Sequence, residues 1–202
     1  MRDAELRDRL AELGERGFNY DADGEGVPDD PRWHRDAYAA DLGREAPGPP
    51  EDGGVFARGR EVLVHYRFPD PKRLSGFFDE ETPLLGRTML LRAKFLWFRF
   101  DFGVRVTRVV DATRVKGDTT LHEFGYAYRT LKEHWEIGEI FFCLRKDADS
   151  GAVRFLIESY SRPDRIPNPF YRLGFRIFGR KLQREFAENG LRRMKRLVAE
   201  AE

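Results

Sequence analysis

Apolar residues first recur at helical spacing. Leu6, Leu10 and Leu13 fall three to four apart, with Asp3 placed as an N-cap and Gly14 placed to stop the helix, so an amphipathic helix opens the chain. From Phe18 to Gly54, acids cluster between Asp21 and Asp36, and Pro28, Pro31, Pro47, Pro49 and Pro50 punctuate the backbone too often for a long element. One short helix is predicted inside it, capped by Asp30, with Pro31 at its first position, Trp33, Ala37 and Leu42 on one face, and Gly43 after it. Residues 55–68 fit two templates. Val62-Leu63-Val64-His65-Tyr66 has strand composition, while Val55, Gly59, Val62 and Tyr66 share a helical face.

Beyond Pro69 and Pro71 the period changes to two. Strand-like runs cover 87–100, 104–113, 119–131, 138–146 and 152–161, and Val104, Val106, Arg108 and Val110 alternate within the second. Lys116-Gly117-Asp118 and Asp149-Ser150-Gly151 supply turn chemistry, which predicts a meander of antiparallel hairpins. Connections this short hold no crossover helices, which excludes a doubly wound parallel sheet. Asn168 as N-cap and Pro169 at the first helical position then begin a long amphipathic helix. Its stripe is Phe178, Leu182, Phe186, Met194 and Val198, with Arg180, Arg184, Arg192, Arg193 and Arg196 on other faces. Gly174, Gly179 and Gly190 within it predict a bend or the close approach of another backbone.

These elements compose an α+β layout: short N-terminal helices, then a curved antiparallel sheet wrapped around a long C-terminal helix. Residues 1–17 are read as a lead-in helix and 18–202 as a single domain, with the helix and meander at 55–161 and the last helix at 168–200. The aromatics between sheet and helix either line a ligand cavity or fill the core.

Charge changes this picture only locally. The 202 residues carry a net charge of +1 and a mean hydropathy of −0.63, so no whole-molecule field recruits nucleic acid, and no nucleic-acid partner is expected. Residues 1–52, however, hold 7 basic and 15 acidic side chains (net −8), against 9 basic and 4 acidic (net +5) in 172–202, so the two ends are expected to pair. The basic helix faces are also compatible with peripheral membrane contact. A lone Cys143 leaves no internal disulfide and fits a reducing, cytoplasmic setting. No apolar run reaches the ~18 residues of a membrane span, and no export signal is recognised. Phosphate-binding loops, dinucleotide fingerprints, HExxH and GxSxG are absent. Neither a cofactor nor a metal is expected, since adjacent His122 and Glu123 on a strand point to opposite faces.

The candidate chemistry lies in 125–139. Tyr126 and Tyr128 share a face on the predicted strand and, with Thr130, make a row of hydroxyls suited to orienting a polar group on an apolar ligand. His134 and Glu139 bracket the turn into the next strand, where a carboxylate on the imidazole would fix its tautomer. Tyr128, His134 and Glu139 are therefore the catalytic candidates, unless they serve only to bond backbone groups in a tight connection. The expected ligand lining comprises Tyr126, Tyr128, Thr130, Phe141, Arg162, Phe178 and Leu182. Arg162, just before Pro163, either pairs with Glu158 or an N-terminal acid, or meets an anionic head group at the cavity mouth.

Gly125-Tyr126-Ala127-Tyr128-Arg129-Thr130-Leu131, His134 and Gly138-Glu139, followed by Ser161-Arg162-Pro163, resemble the uncharacterised protein family UPF0548. Its members carry Gly-Phe-x-Tyr-Gly-Thr-Leu-x-x-His-x-x-x-Gly-Glu and a downstream Ser-Arg-Pro. The resemblance runs from Phe18-Asn19-Tyr20-Asp21 to the last helix. That family is similar to the helix-grip superfamily of START, polyketide-cyclase and birch-pollen-allergen-like proteins, which bind hydrophobic ligands between a curved sheet and a long helix. The resemblance implies a helix at 55–68, through Phe56, Gly59, Leu63 and Tyr66, and a small hydrophobic or lipid-like ligand. Two departures stand out: Arg129 replaces a customary glycine and either blocks a close approach or points outward, and Ile140 replaces a polar residue. Three functions remain open: ligand binding without chemistry, a cyclase- or hydratase-like enzyme, and a structural or protein-interaction module with a filled core.

Overall fold

The computed structural model describes residues 3–21, 31–95, 98–164 and 169–200, excepting the side chains of 3, 95 and 169–178. In chain order the elements are α1 (Asp3–Gly14), β1 (His34–Arg44), α2 (Val55–Val64), β2 (Leu74–Phe77), β3 (Thr88–Phe95), β4 (Phe98–Lys116), β5 (Thr119–Thr130), β6 (Glu136–Asp147), β7 (Ala152–Pro163) and α3 (Pro169–Glu200). Among the described residues, seven strands pair in the order β1-β7-β6-β5-β4-β3-β2, every pair antiparallel. The sheet grips α3 on one face, and this architecture is the helix-grip fold. No helix among the described residues is long and apolar enough to cross a membrane.

Two predicted elements are corrected. The short helix expected over 31–42 is strand β1, paired with β7 from His34↔Ser161 to Arg44↔Ala152. Its inward positions Tyr38, Ala40 and Leu42 alternate, and a ladder against β7 outweighs the helical signal of Pro31 and Gly43. The proposed cap, Asp30, lies outside the described residues. The single run at 87–100 is two strands, β3 and β4, joined across Phe95↔Phe98. Alternation passes through that hairpin without glycine or proline to mark it.

Close backbone approach explains two glycines. A Cβ on Gly125 would stand 2.2 Å from the Phe142 carbonyl oxygen, and one on Gly138 would stand 2.2 Å from that of Tyr160. Neither position admits a side chain without moving the neighbouring strand. A bulge between Val106 and Arg108 adds a local bend to β4.

Helix α2 lies on the inner face and ends in a Schellman turn, with Tyr66 N–H donating to Leu63 O (3.1 Å) and Arg67 N–H to Val62 O (2.9 Å). Tyr66 occupies the position usually taken by glycine, at φ 51°, and its buried ring holds it there. The chain then delivers Phe68 into the core, where its ring centroid lies 4.9 Å from Phe142 and 5.3 Å from Phe155. Ala187, Leu191, Met194 and Val198 of α3 close over it. On the outer face Leu13 of α1 packs with Leu90 and Leu131 in a smaller cluster.

A charged pair is sealed at the far end of β6. Lys146 Nζ lies 2.7 Å from Glu45 Oε2, with side chains 0% and 1% exposed, and also donates to Pro49 O (2.8 Å). Glu45 in turn accepts the Phe56 N–H at the start of α2 (2.6 Å). Burial alone would raise the Glu45 carboxyl, but Lys146 and the amide donors hold it below its ordinary value.

Truncation of fully buried Phe68 to Ala should cost about 3–5 kcal/mol in urea unfolding. Phe186→Ala should cost no more than about 2 kcal/mol, because that ring is only partly buried. Equal losses would overturn the ranking of these two rings by burial.

Candidate functional site

The helices do not fill the inner face. Below Phe186, α3 seats on the core; above it, the helix stands off the sheet and leaves a cavity of about 450 Å³. Strand alternation builds one wall, since Phe98, Phe100 and Phe102 of β4 share a face and stack at 6.1 and 6.4 Å. Trp135 closes on them at 4.6 Å from Phe100 and 5.4 Å from Phe102. Leu182 and Phe186 of α3, with Ile157 and Tyr38 of the sheet, continue the lining.

The opposite end is polar. Arg180 of α3 binds Asp36 of β1 through both nitrogens (2.7 and 2.8 Å) and donates to Gln183 Oε1 (2.9 Å). Gln183 Nε2 donates to Glu136 Oε1 and to Ser161 Oγ (3.2 Å). Arg180 holds the Asp36 carboxyl below its usual range. Burial instead pushes Glu136 up to about 7, with Arg180 pulling the other way and Asp36 adding to the rise. His134 lines the cavity with its ring 4.6 Å from Phe102, and burial pushes its pKa down to about 4. Its Nδ1 accepts the Glu136 N–H (3.0 Å), which places the proton of the neutral ring on Nε2.

The expected site residues divide. Tyr128, Thr130, His134 and Leu182 border this cavity. The Tyr128 hydroxyl is shared with that of Tyr66 (3.1 Å), and burial raises the Tyr128 pKa. Thr130 Oγ1 donates to Asn19 Oδ1 (2.7 Å) and accepts the Gly138 N–H (3.1 Å). Tyr126 shares their face but sits deeper, in the core, with its hydroxyl donated to Leu63 O (3.1 Å), and is not among the lining residues.

Glu139 borders the cavity, yet its carboxylate turns to Arg129 (2.9 Å) and Arg108 (3.5 Å) on the outer face. Tyr128, His134 and Glu139 therefore do not assemble around one point. Arg129 points outward, which answers the question raised by its replacing a glycine. Phe141 alternates to the outer face under Arg108 (4.4 Å), and Arg162 lies over Trp33 (5.1 Å), so neither lines the cavity. The side chain of Phe178 lies outside the described residues. Among the described residues no three His, Cys, Asp or Glu side chains gather as a metal site. The ends do pair, through Asp36–Arg180.

Sequence reasoning missed Glu136, Asp36 and Gln183. Glu136 was legible in principle: it stands two before Gly138 and so faces as Ile140 does, opposite to Glu139. Asp36 was hidden by the helix assigned there.

Residues 12–193 match the profile of the domain of unknown function DUF1990. The chain belongs to the DUF1990 family. The solved structures similar to this DUF1990 chain include Ara h 8.0201 (14% identity, 83% of this chain and 99% of that one, TM-score 0.47). Others are TTHA0849 from Thermus thermophilus (11%, 84% and 99%, 0.49) and human STARD10 (9%, 99% and 80%, 0.41). No curated protein matches it.

His134 and Glu136 of the DUF1990 cavity should tilt stability in opposite directions. Neutral His134 stabilises the fold above its ordinary 6.5, and this contribution is lost as pH falls toward 4; relative to His134→Gln, the native chain should weaken over that descent. Glu136 stabilises the fold below its ordinary 4.5 and loses that contribution as pH rises toward 7, so relative to Glu136→Gln the native chain should weaken over that ascent. Thermal midpoints across this range that run parallel to those of the variants would contradict both assignments.

Proposed function

We propose that this DUF1990 protein binds a small, mainly apolar molecule in the cavity between the sheet and α3, without a cofactor and without transforming it. The observation that carries this reading is an aromatic-walled space of about 450 Å³ bordered by polar groups that include Asp36, Glu136 and Gln183. Its volume lies within the roughly 300–1,000 Å³ of small-molecule sites. A filled-core module would instead bring Phe98, Phe100 and Phe102 against α3. A cyclase- or hydratase-like mechanism through Tyr128, His134 and Glu139 is not supported by a geometry in which the Glu139 carboxylate is held by two arginines on the other face.

Native mass spectrometry of protein purified without detergent should reveal a retained apolar molecule, displaceable by an environment-sensitive naphthalene dye. Leu182→Trp should fill the space and weaken dye binding by more than about tenfold, while the urea midpoint stays near that of the native chain. Undiminished dye binding in a folded Leu182→Trp protein would remove the cavity as the site.

A further inference from the structure

We propose that Glu136 selects the ligand's polar end, its unpaired carboxyl oxygen donating a hydrogen bond to a neutral acceptor (a carbonyl, ether or hydroxyl oxygen) on an otherwise apolar molecule. This rests on the cavity being a ligand site and adds what the site recognises.

The geometry fixes the donor through a relay. Asp36 holds Arg180 through both nitrogens, and Arg180 donates to Gln183 Oε1. The Gln183 amide is thereby oriented with its Nε2 toward Glu136, where it donates to Oε1. When the carboxyl is neutral, the oxygen that accepts from the amide is its carbonyl, which leaves the proton on Oε2. No protein group among the described residues bonds Oε2, and Glu136 lines the cavity. A polar atom so placed takes its partner from whatever occupies the cavity, water when it is empty and an acceptor on the ligand when it is filled.

The surrounding charges support a neutral partner. Asp36 from β1 and Arg180 from α3 neutralise each other beside Glu136, while Arg73 and Lys94, which also line the cavity, are held by Glu185 and by Pro71 O (3.2 Å) respectively. His134 from the β5–β6 turn is neutral near pH 7, Tyr128 from β5 keeps its proton, and Asp164 after β7 takes a hydrogen bond from Asn19 Nδ2 (3.3 Å). Burial pushes the Glu136 carboxyl up to about 7, so the donor form is present at and below neutrality. Binding an acceptor favours the protonated form, and the affinity it adds must fade as pH rises past that value.

Two dyes test this: a dimethylaminonaphthalene bearing a ketone, and the same dimethylaminonaphthalene without it, each titrated from about pH 5.5 to about 8.5, a range that brackets a raised carboxyl. The ketone dye should bind steadily up to about pH 7 and then lose between about twofold and tenfold, the worth of one hydrogen bond, while the ketone-free dye stays flat. Glu136→Gln, which keeps an N–H donor, should bind the ketone dye without pH dependence. Glu136→Leu should bring the ketone dye to the affinity of its ketone-free counterpart, with that counterpart unchanged. Affinity of the ketone dye that rises with pH, or tighter binding of a primary-amine analogue, would overturn the neutral-acceptor assignment. Equal binding of both dyes at every pH leaves the cavity reading standing and removes Glu136 from it; binding of neither dye removes both.

Discussion

Phe68 sets the spacing between helix and sheet. Its ring is wholly buried against Tyr66, Phe142 and Phe155, and reaches Phe186 at 6.3 Å. α3 settles on it at Gly190, where an added Cβ would lie 3.2 Å from the ring. Edge-to-face contacts of this kind fix orientation as well as burying area. Because one aromatic wedge is inserted at this level, the helix rests there and the strands beyond it have nothing opposite them. The cavity is thus a product of core packing, with Phe186 at the boundary between the two halves.

The two halves of α3 are consequently held by different forces. Ala187, Leu191, Met194 and Val198 bind it through apolar burial, which carries no titrating group. Arg180 and Gln183 bind it through a polar chain that ties β1 to β6 across the open end. An aromatic wall faces this chain, so the cavity presents an apolar surface and a fixed polar edge together.

Much of this was legible in the sequence where a single period ran unbroken. The meander from Val104 onward, the turns at Gly117 and Gly151, and the last helix all announce themselves, because each has a chemical stop signal beside a consistent pattern. Strand β1 was not legible: Pro31 and Gly43 imitate helix ends, and what decides the matter is β7, far away in the chain. Within the candidate site, register turns one carboxylate away. Glu139 sits in the most distinctive motif, yet in a strand the neighbour of an inward residue faces out, and the inward carboxylate is Glu136. Tyr126 lies on the correct face but too deep, which alternation alone does not encode, since depth depends on where α2 lays the Leu63 carbonyl.

The sealed pair of Lys146 and Glu45 constrains how this chain can drift. Losing either partner strands the other charge in a dry interior, at about 3–5 kcal/mol, whereas exchanging both for apolar residues of matched volume can be neutral. Single steps at either position are therefore barred and only paired replacement is open. Glu45 also anchors the first turn of α2, so such a replacement must bring its own acceptor for the Phe56 amide. Two positions, 101 residues apart in sequence, are bound into one unit of inheritance by a contact no reader of the linear chain would single out.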